Sequence, residues 1–252
     1  MRTATPAPIP VRPSRTLRVA GWALHLYTAS GAVLALLAVL AAVDGQQLRA
    51  LWVLLAALVI DGTDGMLARR LRVKETIPSF DGARLDDIVD YLTYVFAPVV
   101  LLLTGGYLPG GAWGAVVAAI PLLASGIQFC RTNAKTEDHY FLGFPSYWNV
   151  VAFYAVVLGM SPAAVSTVVV TCAVLVFVPV KYIYPSRTPR ARLLNLSLAA
   201  LWLVLYAVIL VEMPDPSLLA VALSLVYLAY YVLASVVLTL GHRLLWLRSA
   251  RS

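Results

Sequence analysis

Four aspartates between residues 61 and 90 have the types and spacing to do chemistry. In DGTDGMLARRLRVKETIPSFDGARLDDIVD, Asp61 and Asp64 stand three apart and Asp86 and Asp90 four apart. Both intervals put side chains on one face of a helix. Asp61, Asp64, Gly65, Ala68 and Arg69 therefore form one stripe, and Gly82, Asp86 and Asp90 a second. If the segment between them, with Pro78, turns the chain back, the stripes converge. Four carboxylates at one point repel one another strongly unless cations share the site. Their hard oxygens suit Mg²⁺, Mn²⁺ or Ca²⁺, and two divalent ions sharing bridging aspartates fit best. Gly65, Ala68 and Gly82 leave room for a ligand to approach the backbone. Arg69 offers a planar fork to a phosphate oxygen. Together these groups describe a site for a pyrophosphate-containing substrate, where metal ions stabilise the attacking and leaving oxygens. The plainer explanation, ion pairs with Arg69, Arg70, Arg72 and Arg84 at the headgroup level, is our reading for Asp81 and Asp87.

The elements that must position these groups are apolar. Of the 252 residues, 61% are hydrophobic and 12% charged, against about 25% charged in a soluble domain. A spanning helix takes about 20 apolar residues. Eight segments read as spans: 19–43, 47–71, 82–103, 111–129, a short one at 147–160, 162–184, 193–212 and 217–240. The fold class is an all-α polytopic membrane protein of about eight transmembrane helices. Residues 1–18 read as a Pro- and Arg-rich N-terminal segment, 19–241 as the catalytic membrane domain and 242–252 as a basic tail. The first apolar stretch is too long for a signal-peptide core and stays as a span.

With eight spans, 18 of the 19 Lys and Arg residues fall on one side, leaving only Arg49 on the other. Both termini are then cytoplasmic. The net charge of +7 is thereby topological, with some attraction to anionic membrane lipid, and nucleic acid is not a partner. The opposite loops, DGQQL, GGYLPGG and EMPDPS, are too short for an outer domain. The chemistry belongs on the cytoplasmic face. Cys130 and Cys172 lack metal-type spacing and read as packing residues.

At this point the stretch resembles a known family. DGTDGMLAR followed by GARLDDIVD is similar to the CDP-alcohol phosphotransferase signature, Asp-x-x-Asp-Gly-x-x-Ala-Arg and then Gly-x-x-x-Asp-x-x-x-Asp. All its fixed positions are met, by Asp61, Asp64, Gly65, Ala68, Arg69, Gly82, Asp86 and Asp90. The twelve residues between Arg69 and Gly82 form a longer spacer than in most of that family. A narrower resemblance, to its bacterial phosphatidylcholine synthase branch, rests on GWALHLYTASGAV, SFDGARLDDIVDYLTY and AKTEDHYFLGFPSYWN. The resemblance implies a helical bundle in the bacterial inner membrane, working as a homodimer. CDP-diacylglycerol would bind over the aspartates, with two divalent cations, Mn²⁺ or Mg²⁺, on Asp61, Asp64, Asp86 and Asp90. Choline's hydroxyl would attack the β-phosphorus and CMP would leave. Asp90 carries over as general base, with Asp86 beside it in catalysis. Asp64, Gly65, Ala68, Arg69 and Gly82 carry over as nucleotide contacts.

A quaternary ammonium cannot donate a hydrogen bond, so aromatic faces and a nearby carboxylate usually hold it. Tyr91, Tyr94, Glu137, Asp138, His139, Tyr140, Tyr147 and Trp148 are the candidates, although aromatic residues concentrate at membrane interfaces anyway. His25 reads as a hydrogen bond to another helix and His242 as an interfacial residue. Thr28 and Ser30 read as hydroxyls bonding back to their own helix. Trp22, Trp52, Trp113 and Trp246 read as interface anchors, and Tyr227, Tyr230 and Tyr231 as lipid-facing or packing residues. Two alternatives stay open: another acceptor (serine, glycerol 3-phosphate or inositol phosphate), or a cation transporter using the acids as an ion path.

Overall fold

The computed structural model describes residues 14–189 and 191–249, with side chains described as far as residue 241. The N-terminal segment up to residue 13, residues 250–252 and the side chains of the rest of the basic tail, including those of His242 and Trp246, lie outside that range.

Helix α1 (Arg15–Val43) starts where the Ser14 hydroxyl accepts from Leu17 N at 3.3 Å, capping one of the backbone donors a helix start leaves over. A short turn through Gly45 leads to α2 (Gln47–Arg70). The two lie against each other, and Ala35, Ala38, Ala41, Ala42 and Ala50 on them are all nearly inaccessible. Such small residues let helices in a membrane approach closely. Arg72, in the left-handed region at φ 48°, breaks the helix, and α3 (Val73–Thr76) begins the return.

The returning span runs Gly82–Thr104. It consists of α4 (Gly82–Asp90), a π-helical stretch (Tyr91–Phe96) and α5 (Ala97–Thr104). Pro98 cannot donate an i→i−4 bond, and the wide turn falls just before it. Such turns often mark functional positions. Helix α6 (Ala112–Cys130) follows.

All eight apolar segments contain a helix, but α7 (Trp148–Val157) and α8 (Pro162–Phe177) are shorter than a span, leaving six helices long enough among the described residues. Ten residues of helix rise about 15 Å, half a hydrocarbon core. Helix α7 instead lies inside protein: Trp148, Ala152, Phe153 and Ala155 are fully buried. Segment 162–184 stops being helical after Phe177. Its end becomes β2 (Lys181–Ile183), paired antiparallel with β1 (Tyr140–Leu142) through Tyr140–Ile183, Phe141–Tyr182 and Leu142–Lys181. Gly143, at φ +86°, lets β1 turn beneath the end of α8, where a β-carbon would strike the Val176 carbonyl. Pairing with a distant segment decided this outcome over local helix propensity.

Helices α9 (Arg192–Glu212) and α10 (Leu218–Ser249) close the bundle. The core holds Trp148, Phe153, Tyr206, Leu51, Leu54 and Ile209. Several of its polar atoms bond to one another: Trp148 Nε1 donates to Ser125 Oγ (2.7 Å), Tyr154 OH to Ser224 Oγ (3.0 Å) and Trp202 Nε1 to Tyr154 OH (3.1 Å). Hydrocarbon offers no partner for such atoms.

Candidate active site

The two acidic stripes meet. One carboxylate oxygen each from Asp61, Asp86 and Asp90 lies within 4.8 Å of the others. Tyr94, from the π-helical stretch, donates its hydroxyl to Asp61 Oδ2. Asp64 is not in that trio. It is buried one turn further along α2 and accepts a 2.7 Å hydrogen bond from Thr28 Oγ1. Thr28 therefore does not bond back to its own helix, whereas Ser30 does, donating to Tyr27 O at 2.6 Å. A packed partner helix decided that difference.

The nucleotide-contact candidates line the same region. Arg69 folds back along α2, its Nη1 3.3 Å from where a β-carbon on Gly65 would sit. Ala68 is half-buried. A β-carbon on Gly82 would lie 2.8 Å from His25 Cε1. His25, packed on Phe80 with ring centroids 4.3 Å apart, finds no hydrogen-bond partner for its buried Nε2. The helix-to-helix bond expected of it is not made there; it packs a close approach instead.

Asp81 and Asp87 depart from the expected arginine pairs. Asp81 caps α4 by accepting from Arg84 N (3.0 Å), and Asp87 pairs with Lys135 at 3.0 Å. Burial alone would lower the Lys135 ammonium, but its bond and charge interaction with Asp87 hold it above the usual lysine value.

The segment 137–148 divides. Tyr147 lies 5.7 Å from Tyr94 and 6.1 Å from Tyr231, ring centre to centre, within electrostatic reach of Asp61. Trp148 is a core residue bound to Ser125. Tyr140 is buried in the strand pair. Glu137 and His139 are exposed, and the His139 carbonyl accepts from Thr188 Oγ1 at 2.8 Å. Asp138 pairs with Lys181. Burial would raise its carboxyl, but Lys181 and Thr136 hold it below the usual range. Tyr91 donates to Leu122 O (3.0 Å), tying its helix to α6.

Two residues near the acids were not singled out from the sequence. Tyr184 stacks on Phe141 at 4.4 Å and lies within electrostatic reach of Asp61, Asp86 and Lys135, and burial pushes its phenol up. Arg187 lies over the Tyr184 ring, 5.6 Å from its centre. The only sequence signal was the turn-rich YPSRTP, whose distance from the acids along the chain concealed it.

The donor set fits divalent metal. Carboxylate oxygens sharing one ion at about 2.1–2.5 Å are at most about 5 Å apart, and the trio meets that limit. Lys135, whose charge reaches all three of these aspartates, is paired with Asp87 instead.

A mainly helical membrane bundle with paired acids meeting at the loop end of two helices defines a class, and comparison with known proteins agrees: residues 25–248 match the CDP-alcohol phosphatidyltransferase family. The chain belongs to that family and is a multi-pass membrane phosphatidyltransferase. It is similar to phosphatidylcholine synthases of Borreliella burgdorferi (36% identical, covering 88% of this chain and 95% of that protein) and Legionella pneumophila (38%; 90% and 92%). It is likewise similar to that of Pseudomonas aeruginosa (39%; 84% and 88%). The transporter alternative is set aside.

Proposed function

We propose that this enzyme transfers the phosphatidyl group of CDP-diacylglycerol to choline and releases CMP. The observation that carries the acceptor is the shared description of these relatives, matched over most of both chains. In this reading the enzyme is a homodimer in the bacterial inner membrane, both termini cytoplasmic.

Asp61, Asp64, Asp86 and Asp90 would hold two divalent cations, Mn²⁺ or Mg²⁺, which when bound offset the diphosphate charge and make choline's hydroxyl more acidic. Asp64, Gly65, Ala68, Arg69 and Gly82 contact the nucleotide. Asp90, with Asp86 beside it, takes the proton as the choline oxygen bonds to the β-phosphorus and the bond to CMP breaks. The Tyr94 hydroxyl and the Thr28 hydroxyl orient Asp61 and Asp64, as partners of metal-binding carboxylates commonly do. For choline, the faces of Tyr94 and Tyr147, next to the acids, suit a quaternary ammonium.

The test supplies purified protein with CDP-diacylglycerol, Mn²⁺ and labelled choline, serine or glycerol 3-phosphate in parallel, following CMP and labelled lipid. Choline-dependent product, lost in Asp90→Asn and on chelation and restored by Mn²⁺ or Mg²⁺, supports the reading. Product with another acceptor alone overturns the choline assignment.

A further inference from the structure

At the end of the bundle opposite the aspartates, a groove of about 830 Å³ opens between the α1–α2 turn, the end of α7 and the α9–α10 turn. Leu34, Val53, Ala56 and Val156 give it an apolar wall. Leu34 and Ala56 each lie nine residues inside the near ends of their helices, Val43 and Gln47. That is about 14 Å of helix, close to half a hydrocarbon core. The groove is therefore about one leaflet deep, and its volume lies within the roughly 300–1,000 Å³ of ligand sites.

The rim is polar and held in place. Gln47 donates through Nε2 to Gly105 O (3.3 Å) and accepts from Tyr107 OH (2.9 Å), which ties it to the α5–α6 turn. Arg49 Nη1 donates to Gln46 Oε1 at 3.0 Å, while its Nε and Nη2 bond to no described residue. Arg49 is the only Lys or Arg in or beside the turns at this end. Three exposed acids stand at the same end. Asp44 precedes Gly45, and Glu212 and Asp215 flank Met213 and Pro214, all three of the flanked residues lining the groove. Among the described residues the side-chain ion pairs are Lys135–Asp87 and Lys181–Asp138, so none of these four charges is paired. One cation among three anions disfavours an anionic lipid. It complements a zwitterionic one, whose phosphate matches the guanidinium fork and whose positive end faces the carboxylates.

We propose that this groove holds one zwitterionic phospholipid of the surrounding bilayer, its phosphate on Arg49 and an acyl chain along Leu34, Val53 and Ala56. Hydrocarbon against hydrocarbon gives such a lipid little advantage over its neighbours, so the headgroup contacts set the selectivity. The site does not depend on which alcohol the enzyme uses, and neither Arg49 nor Ala56 belongs to the catalytic groups.

In the test, purified full-length protein is stripped of lipid in neutral detergent. It is then offered phosphatidylcholine, phosphatidylethanolamine or phosphatidylglycerol with the same acyl chains. Native mass spectrometry counts the lipid retained, and the thermal unfolding midpoint is followed in parallel. Wild type retains one molecule of either zwitterionic lipid about tenfold more tightly than phosphatidylglycerol, the scale of a charged hydrogen bond, and its midpoint rises with it. Arg49→Ala removes that preference and Arg49→Lys recovers part of it. Ala56→Trp, which fills the wall at an exposed position, removes the same fraction. Dependence on Arg49 and Ala56 separates the groove from any product held at the aspartates. All three variants keep the lipid-free midpoint and the turnover of CDP-diacylglycerol in detergent. Equal retention of the three lipids, or zwitterionic retention unmoved by Arg49→Ala and Ala56→Trp, overturns the site. So does a disulfide between two chains through Leu48→Cys at the rim, with Cys130 and Cys172 replaced by alanine, because a second copy would then cover the groove.

Discussion

Thr28 and Gly82 show how much of this site depends on single atoms. The Thr28 hydroxyl donates to Asp64 at 2.7 Å in a buried setting, where a lost donor leaves the carboxylate poorly oriented. Thr28→Val should raise the Mn²⁺ concentration needed for half-maximal activity about tenfold, and Thr28→Ser should restore it; equal metal titrations for valine and wild type would remove Thr28 from the site. Gly82 acts through space. A methyl group there meets the His25 ring, itself packed against Phe80 and Trp22. Gly82→Ala should cost about 1–3 kcal/mol of stability, seen as a lower unfolding midpoint in detergent. Adding His25→Ala should return part of it in a double-mutant cycle, and strict additivity would refute the contact.

Among the elements, the strand pair between α6 and α9 decides the most. It carries Tyr140 and Phe141 on one strand and leads to Tyr184 and Arg187 on the other. One of its ties is the ion pair between Lys181 and Asp138, which lies just before β1. Because the folded Asp138 carboxyl sits below its ordinary value, its stabilising contribution is complete above about pH 4. It disappears as pH falls through the depressed folded value. Wild type should therefore be more thermostable than Asp138→Asn at neutral pH, and the difference should close below about pH 4. A difference independent of pH would show that the ion pair is not its source. The site's other hinge is the π-helical stretch, which brings Tyr94 onto Asp61 directly after Asp90.

On the scale of the whole molecule, the placement of charge predicts orientation. Residues at the α1–α2 turn and in the α2–α4 connection lie at opposite ends of α2. With Cys130 and Cys172 replaced by alanine, Gln46→Cys should react with a membrane-impermeant maleimide in intact cells. Ser79→Cys should react only after permeabilisation. The reverse pattern would invert the topology and place the aspartates outside.

The sequence alone determined the eight apolar segments, the eight signature positions and the family, because hydrocarbon burial and helical spacing are local properties of the chain. That Gly82 opens the same short helix as Asp86 and Asp90 was legible for the same reason. Tertiary structure decided the rest. It separated Asp64 from the trio, gave that carboxylate to Thr28, buried Trp148 in the core, replaced the end of the sixth apolar segment with a strand and set Arg187 over the Tyr184 ring. Each of these depends on contacts between residues tens of positions apart, in which a partner outside the local stretch, rather than a residue's own propensity, decides what its side chain bonds to.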